Sequence, residues 1–230
     1  MAEGADILDI GGESTRPYST PVTEDEELRR VIPVIHAIAE KTKVPISVDT
    51  SKARVAYEAI AAGAEIINDV TGLTGDPQMM TIARESGAGI CAMHMQGTPQ
   101  TMQHEPRYND VVTEVGNFFA DCLARCAAAG LPAENVAIDV GIGFGKSLEH
   151  NLELLAAVGS FKSLGRPLML GVSRKSFIGK LLGVEMEDRL PAALACACHA
   201  VANGVQIIRA HDVAATVQAV RMTEAIAHGR

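Results

Sequence analysis

Short apolar runs alternate along the chain with longer stretches that carry an apolar residue every three or four positions. The first run, Ile7 to Ile10, is too short for a helix, and two glycines end it. Apolar residues then recur from Leu28 to Ile38, behind the acidic stretch Glu24 to Glu27. Thr23 stands where the N-cap of that helix belongs, with Glu26 three residues on as in a capping box. A strand followed by an amphipathic helix is therefore the predicted unit.

Six further strands follow the same plan. They are predicted at Pro45–Val48, Glu65–Ile67, Gly89–Met93, Val136–Ile138, Pro167–Val172 and Val205–Ile208. Further helices are predicted at about 53–62, 77–86, 111–129, 151–158, 192–202 and 213–227. No linker or change of composition interrupts the alternation, which predicts one α/β domain over residues 1–230 with a parallel sheet.

Nearly all the predicted strands end in polar residues, and this favours a TIM (β/α)8 barrel over an open sheet. In a barrel every strand's carboxyl end faces one mouth, whereas an open sheet gathers ligands at one switch point. A barrel needs eight strands and the pattern supplies seven. Residues 1–4 resemble the tail of a helix with Gly4 as its stop, so we expect the first β-strand to be missing from the amino end. The alternative is a defective barrel whose exposed edges pair with another copy.

Composition narrows the function classes. The 230 residues carry a formal charge of −8 and 47% hydrophobic residues, which argues against nucleic acid as a partner. The five cysteines are an odd number without a CxxC pair, and all lie in apolar settings, which predicts unreactive thiols in a reducing compartment. No apolar run reaches the ~18 residues of a membrane span and the start is acidic, so a cytoplasmic protein without a membrane partner is expected.

Three polar residues, Asp49, Asn68 and Asp139, each come directly after an apolar strand. Any one of them could be a helix N-cap or a loop hydrogen-bonding residue. Together with Lys175 on another strand end, they form a predicted ring of donors and acceptors suited to a flat heterocycle with amine and carbonyl edges.

A second candidate site follows the last predicted strand, where Arg209 and His211 precede a helix. Loops after the last two strands of a barrel often bind phosphate, so a phosphate site is predicted there, with a surface ion pair between Arg209 and Asp212 as the alternative.

The glycines around Gly145 fit neither a P-loop, because position 140 is valine, nor a dinucleotide fingerprint, so they are predicted to shape a flexible loop. His94 is predicted to be a hydrogen-bonded core residue. Arg16 either pairs with Glu13 or meets a second substrate.

Seven motifs together resemble the dihydropteroate synthase family of pterin-binding barrels. They are GGESTRP at 11–17, SVDTSK at 47–52, IIND at 66–69, MHMQG at 93–97, GFGK at 143–146, SRKSFIG at 173–179 and RAHDV at 209–213. The resemblance covers essentially the whole chain. It implies condensation of a dihydropterin pyrophosphate with p-aminobenzoate, which gives dihydropteroate and pyrophosphate.

The resemblance also implies roles for individual residues. Asp49, Asn68, Asp139 and Lys175 would hold the pterin, near Met93 and Gly171, and Arg209 and His211 would hold pyrophosphate. Thr15, Arg16, Phe144 and Ser176 match positions near the p-aminobenzoate pocket, where sulfonamides compete in the family. The residues expected to act in catalysis are Asp49, Asp139, Lys175 and Arg209.

The resemblance further implies a Mg²⁺ cofactor and a homodimer. The family's asparagine ligand for magnesium has no counterpart in this chain, so no metal ligand is predicted. Val140 and Ala210 depart from the family's usual proline and valine, and neither change removes a reacting group. A pterin-binding barrel without synthase activity, such as a methyl-folate-presenting module, is the alternative. GGESTRP and SRKSF favour the synthase, because the loop arginine and serines serve an aminobenzoate.

Overall fold

Seven parallel strands in sequence order form the sheet in the computed structural model, which describes residues 2–229. The strands are β1 (Leu8–Gly11), β2 (Ile46–Asp49), β3 (Ile66–Asp69), β4 (Gly89–Met93), β5 (Val136–Asp139), β6 (Leu168–Gly171) and β7 (Ile207–Arg209). Every neighbouring pair is parallel. The predicted α/β class is confirmed, and the sheet is a curled half-barrel.

Helices connect the strands, as the alternation predicts. They are α1 (Glu24–Ala39), α2 (Ala53–Ala61), α3 (Met79–Ser86), α4 (Val111–Ala128), α5 (Leu148–Ala156), α6 (Ser176–Leu182), α7 (Leu190–Ala202) and α8 (Val213–His228). Three short 3₁₀ helices, at 133–135, 158–164 and 186–188, and α6 were not predicted from sequence. The segment of α6 has only seven residues, too few for a helical period to stand out.

The strand boundaries differ from the predicted ones by one or two residues at most ends. Asp49, Asp139 and Arg209 are the last residues of β2, β5 and β7 rather than the first residues after them. The helix tail predicted at the start of the chain falls partly on Met1, which lies outside the described residues. Ala2 and Glu3 form a turn, and Gly4 has the positive φ of +93° that favours glycine.

The first helix forms as its sequence predicts. The Thr23 hydroxyl accepts a hydrogen bond from the backbone N–H of Glu26 at 3.3 Å, which confirms the N-cap. Val31 and Ile35, four residues apart, are buried against the sheet. The Glu26 carboxylate pairs with Arg30 at 2.8 Å instead of turning back to the cap.

One hydrophobic cluster lies between the sheet and the surrounding helices and includes Ile46, Ile67 and Phe119. Cys91, Cys122 and Cys126 are buried, Cys196 and Cys198 are half-buried, and all five are free thiols. Among the helices of residues 2–229, none combines the length and apolar character that a membrane crossing requires.

Candidate active site

Strand register brings the predicted site residues to one end of the sheet. Asp49 of β2 is paired with Asn68 of β3, Met93 of β4 with Asp139 of β5, and Gly171 of β6 with Arg209 of β7. These six residues lie at or within one residue of the carboxyl ends of their strands. Since the strands are parallel and consecutive, the residues line one mouth, as the barrel geometry predicts.

Arg209 crosses this mouth to two carboxylates. Its Nε donates to Asp9 Oδ2 at 2.6 Å, and its Nη2 donates to Asp49 Oδ2 at 3.0 Å. Burial opposes the charge of Arg209, but the two carboxylates raise its pKa, so it remains a cation. The alternative ion pair between Arg209 and Asp212 is wrong, because Asp212 instead accepts from Arg174 at 2.8 and 3.2 Å.

The carboxyl of Asp49 titrates far from its ordinary range. Burial, together with the nearby Asp9 carboxylate, raises its pKa to about 7, while the Arg209 guanidinium opposes the shift. Asp9 Oδ2 also accepts from Asn68 Nδ2 at 3.3 Å, so Asp9 contacts two predicted site residues. The sequence does not single out Asp9, because Asp9 stands inside the first apolar run, between Leu8 and Ile10, whereas Asp49 and Asp139 are the last residues of their strands.

Lys175 and Asp139 form the opposite side of the mouth. Burial lowers the pKa of Lys175 to about 8, although Asp139 favours its charge. Burial likewise raises the pKa of Asp139, and Lys175 opposes that shift. Lys175 Nζ donates to the Ile142 carbonyl oxygen and lies 4.6 Å from the centroid of the Phe144 ring, a cation–π contact. Phe144 and Lys175 are thus brought together at this side of the mouth.

Gly171 lies between two of these cations. A Cβ at position 171 would lie 3.7 Å from the Cβ of Arg209 and 3.9 Å from Nζ of Lys175. The missing side chain therefore leaves space in the mouth next to the Cβ of Arg209 and the ammonium group of Lys175. Such space beside a cation suits an anionic or carbonyl-bearing ligand.

The glycine loop after β5 is held against the segment that follows β4 rather than left free. A Cβ at Gly141 would lie 1.9 Å from the His94 carbonyl oxygen, and one at Gly145 would lie 2.4 Å from that of Gln96. Lys146, which is 2% exposed, donates to the carbonyl oxygens of His94 and Phe144 and to His94 Nδ1. Burial and Lys146 lower the pKa of His94 to about 3. The prediction that His94 is a hydrogen-bonded core residue is confirmed by these contacts.

His211 and Ser173 lie beside Arg209 on neighbouring loops. His211 Nδ1 lies 3.0 Å from Ser173 Oγ, and burial together with Arg174 and Arg209 lowers the His211 pKa. Ser176, the first residue of α6, is exposed. This end of the mouth combines cations with hydroxyl and ring N–H donors, which is a set suited to phosphate oxygens.

The loop from β1 to α1 carries Thr15 and Arg16. Thr15 is half-buried and Arg16 is exposed. The guanidinium of Arg16 has no hydrogen-bond partner among residues 2–229, so its predicted pairing with Glu13 is wrong. Glu13 pairs instead with Lys52, whose Nζ lies 2.5 Å from Glu13 Oε2.

The long polar loop at 96–109 joins two parts of the mouth. Its Pro99 carbonyl accepts from Tyr18 N at 3.0 Å, and Gln100 Nε2 donates to the Ser19 carbonyl at 3.0 Å. On its other side, Gln103 Nε2 donates to the Gly143 carbonyl at 2.9 Å and Tyr108 Oη donates to that of Gly145 at 2.8 Å. The loop therefore connects the Thr15–Arg16 loop with the glycine loop that carries Phe144.

A magnesium site built only from protein side chains does not fit these residues. Within residues 2–229, no three His, Cys, Asp or Glu side chains are grouped so that they could hold a metal ion. The Asp9 and Asp49 carboxylates share Arg209 as their cation.

The family model described as pterin binding enzyme matches residues 1–211. The dihydropteroate synthase of Escherichia coli strain K12 is 50% identical over 222 residues, 96% of this chain and 78% of the relative. The dihydropteroate synthase of Haemophilus influenzae is 43% identical over 228 residues, which cover 99% of this chain and 82% of the relative. A crystal structure of the Yersinia pestis dihydropteroate synthase in a sulfonamide drug complex superposes with a TM-score of 0.95 at 46% identity, covering 98% of this chain and 82% of the other.

A Xanthomonas albilineans dihydropteroate synthase with 4-aminobenzoic acid superposes with a TM-score of 0.93 at 43% identity, covering 98% and 80% of the two chains. The fold described above thus coincides with that of dihydropteroate synthases. The chain belongs to the pterin binding enzyme family, in its dihydropteroate synthase branch, which acts in folate biosynthesis. The predicted family is confirmed.

Proposed function

We propose that this chain condenses 6-hydroxymethyl-7,8-dihydropterin pyrophosphate with p-aminobenzoate to give 7,8-dihydropteroate and pyrophosphate. The observation that carries the proposal is the convergence of Asp49, Asn68, Asp139 and Arg209 at one mouth through strand register, with Lys175 from the loop after β6 close to Asp139. These side chains combine buried acceptors with cations, as a substrate with an amine-bearing ring and a polyanionic leaving group requires.

The pterin is proposed to bind among Asp49, Asn68, Asp139 and Lys175, next to Met93 and Gly171. Carboxylates accept from the ring's amine and N–H groups, and Lys175 donates to its carbonyl edge. Asn68 and Asp139 are only 5% and 3% exposed, so a ligand that satisfies them replaces their contact with water by directed hydrogen bonds. Asp49 with a pKa of about 7 can donate as the neutral acid or accept as the carboxylate near neutral pH.

Arg209 and His211 are proposed to hold the pyrophosphate. In the reaction the bond between the pterin methylene carbon and oxygen breaks, and both electrons leave on pyrophosphate. The amine nitrogen of p-aminobenzoate then attacks that carbon and loses a proton. Arg209 stabilises the growing charge of the leaving group, and Asp49 and Asp139 tolerate the cation that develops on the pterin. The two carboxylates, Lys175 and Arg209 are the residues to which we assign catalysis.

Thr15, Arg16, Phe144 and Ser176 are proposed to receive p-aminobenzoate. Arg16 has an exposed guanidinium suited to a carboxylate, and the Phe144 ring beside Lys175 offers a face for an aromatic amine. A sulfonamide shares the aromatic amine, and the sulfonamide complex of the Yersinia pestis relative supports competition at this pocket.

We also propose that the seven strands belong to an eight-stranded (β/α)8 barrel and that residues 1–230 act as one domain. The consecutive parallel order of the strands and the single hydrophobic cluster support both statements. The first strand of that barrel would lie between β7 and β1, which share no ladder hydrogen bonds within residues 2–229.

Mg²⁺, a homodimer and a cytoplasmic location stay proposals from family resemblance. Mg²⁺ usually keeps a few protein ligands and takes phosphate oxygens from its substrate, so it would accompany the pyrophosphate. Met222 and Ile226 of α8 and Leu181 and Leu182 of α6 are exposed apolar side chains that a second copy could cover. Five free thiols suit a reducing compartment.

The test is calorimetric titration of dihydropterin pyrophosphate with magnesium into the chain, followed by p-aminobenzoate with dihydropteroate measured. Binding with turnover is expected. Binding without dihydropteroate would favour the alternative, a pterin-binding barrel without synthase activity, for which the comparisons with synthases offer no support. Absence of binding would overturn the pterin site.

A further inference from the structure

A partly buried ion cluster lies at the base of the loop that carries Thr15 and Arg16. Lys52 Nζ lies 2.5 Å from Glu13 Oε2 and 2.5 Å from Glu27 Oε2. Glu13 belongs to the loop after β1, Lys52 precedes α2, and Glu27 lies on the first turn of α1. One cation thus joins three segments of the chain.

Glu27 is the least accessible member of this ion cluster. Its side chain is 0% exposed, and its Oε1 has no hydrogen-bond partner within residues 2–229. A buried carboxylate is costly unless it is paired, so Lys52 is required to compensate it. Burial disfavours the charge of Lys52, but the hydrogen bonds to Glu13 and Glu27 raise its pKa above the ordinary value.

Glu13 closes the loop at its base. While Oε2 pairs with Lys52, Oε1 accepts from the backbone N–H of Val22 at 2.9 Å, so one carboxylate binds both ends of the segment 13–22. Arg30 of α1 also donates to the Gly12 carbonyl at 2.9 Å. The base of the loop is therefore fixed, whereas Arg16 within it is exposed.

The ion cluster also connects the loop with the pterin side of the mouth. Lys52 comes three residues after Asp49, and Lys52 N donates to Thr50 Oγ1 at 3.2 Å. The loop base is thereby held at a set distance from the strand end that carries Asp49. Fixed spacing between two substrate pockets matters in a condensation, because a small misplacement of one reactant lowers the rate strongly.

We propose that Lys52, supported by Glu27, is a positioning residue that holds the Thr15–Arg16 loop in the geometry that binds p-aminobenzoate. This inference rests on the proposed function. Without Lys52, the Glu13 and Glu27 carboxylates repel each other, the loop base moves outward, and Arg16 loses its placement. The pterin residues Asn68 and Asp139 on β3 and β5, and Lys175 just before α6, keep their positions.

The test compares three variants with the wild type in steady-state kinetics with both substrates. Lys52→Met removes the cation, Lys52→Arg keeps it, and Lys52→Met with Glu27→Gln removes the buried charges together. Arg54→Ala is the matched control, since Arg54 on α2 forms an exposed ion pair with Glu24 at 3.0 Å. Thermal unfolding is measured for each protein.

For Lys52→Met we expect the KM for p-aminobenzoate to rise about tenfold or more, with the calorimetric Kd for dihydropterin pyrophosphate changed less than about twofold. Lys52→Arg restores the KM, and Arg54→Ala leaves it unchanged. The double variant regains thermal stability over Lys52→Met but keeps the raised KM. The proposal would be overturned if the double variant recovered the wild-type KM together with its stability. It would also be overturned if Lys52→Met changed the KM for p-aminobenzoate and the Kd for dihydropterin pyrophosphate equally. A wild-type chain that makes no dihydropteroate would instead refute the proposed function.

Discussion

The Nε atom of Arg209 lies 2.6 Å from Oδ2 of Asp9 and so connects β7 with β1 across the mouth. These two strands share no ladder hydrogen bonds within residues 2–229. The same Asp9 oxygen accepts from Asn68, and its Oδ1 is buried without a protein partner in the described part of the chain. Asp9 therefore connects the residue proposed to hold phosphate with one proposed to hold the pterin.

Replacing Asp9 tests this connection through the titration of Asp49. In Asp9→Asn we expect the pKa of Asp49 to fall part of the way from about 7 towards its ordinary 3.8, because one repelling negative charge is lost while burial remains. Carboxyl-carbon NMR titration measures the shift. Asp121→Asn, an exposed change on α4, is the control and leaves the Asp49 pKa where it was. An unchanged Asp49 pKa in Asp9→Asn would contradict the arrangement.

The two cations of the mouth are tested by binding. Lys175→Ala and Arg209→Ala are each expected to weaken dihydropterin pyrophosphate binding by about 1.5–3 kcal/mol, the range for hydrogen bonds to charged groups. Calorimetry measures the affinity. Lys180→Ala, which removes an exposed cation from α6, is the control and should bind like the wild type. Unchanged affinity in either site variant would refute its assignment.

The fold was largely predictable because apolar strands and amphipathic helices alternate without interruption. The place of Asp49, Asn68 and Asp139 was predictable too, since parallel strands carry their last residues to one edge. The exact ends of the strands were not predictable, because the hydrogen bonds between strands continue to polar residues that follow the apolar run, such as Asp139. The helix α6 is too short for its period to be recognised.

Partners of the charged groups could not be predicted, since they depend on distances between loops that sequence spacing does not contain. The sequence offers Asp212, three residues away, as a partner of Arg209, but Arg209 pairs with Asp9 and Asp49, 200 and 160 residues away. It offers Arg16 as a partner of Glu13, but Glu13 pairs with Lys52, 39 residues away. Residues close in sequence are therefore poor guides to ion pairs at this mouth.

The glycine loop offers a test that separates backbone strain from steric clash. Gly141 and Gly165 have nearly the same φ, +69° and +66°, so alanine meets similar strain at both. At 141 the added Cβ would also lie 1.9 Å from the His94 carbonyl oxygen, whereas at 165 nothing lies within 4 Å. Urea unfolding should show about 1 kcal/mol lost for Gly165→Ala and clearly more, about 2–4 kcal/mol, for Gly141→Ala. Equal losses would show that the loop does not pack against the His94 backbone.

Asp49 gives the protein a pH-dependent stability. Its folded-state pKa of about 7 exceeds the ordinary 3.8, so between these values the folded chain holds a proton that the unfolded chain has lost. The free energy of unfolding therefore falls as pH rises through this window, by at most about 1.4 kcal/mol per pH unit from this group, and levels off above pH 7. At pH 8 the free energy of unfolding is therefore lowered by the full cost of ionising the buried Asp49 carboxyl.

Asp49→Asn cannot ionise and removes this dependence. We expect the variant to match the wild type near pH 4 and to exceed its free energy of unfolding at pH 8 by about 1–3 kcal/mol, while Arg209 keeps its bond to Asp9. Urea unfolding at pH 4.5, 6 and 8 measures the difference, and calorimetry should show weakened pterin binding in the same variant. Stability curves that run parallel across this pH range would mean that Asp49 is ionised throughout. A stabilised but binding-deficient variant would mean that the chain keeps this carboxyl for its substrate at the expense of its fold.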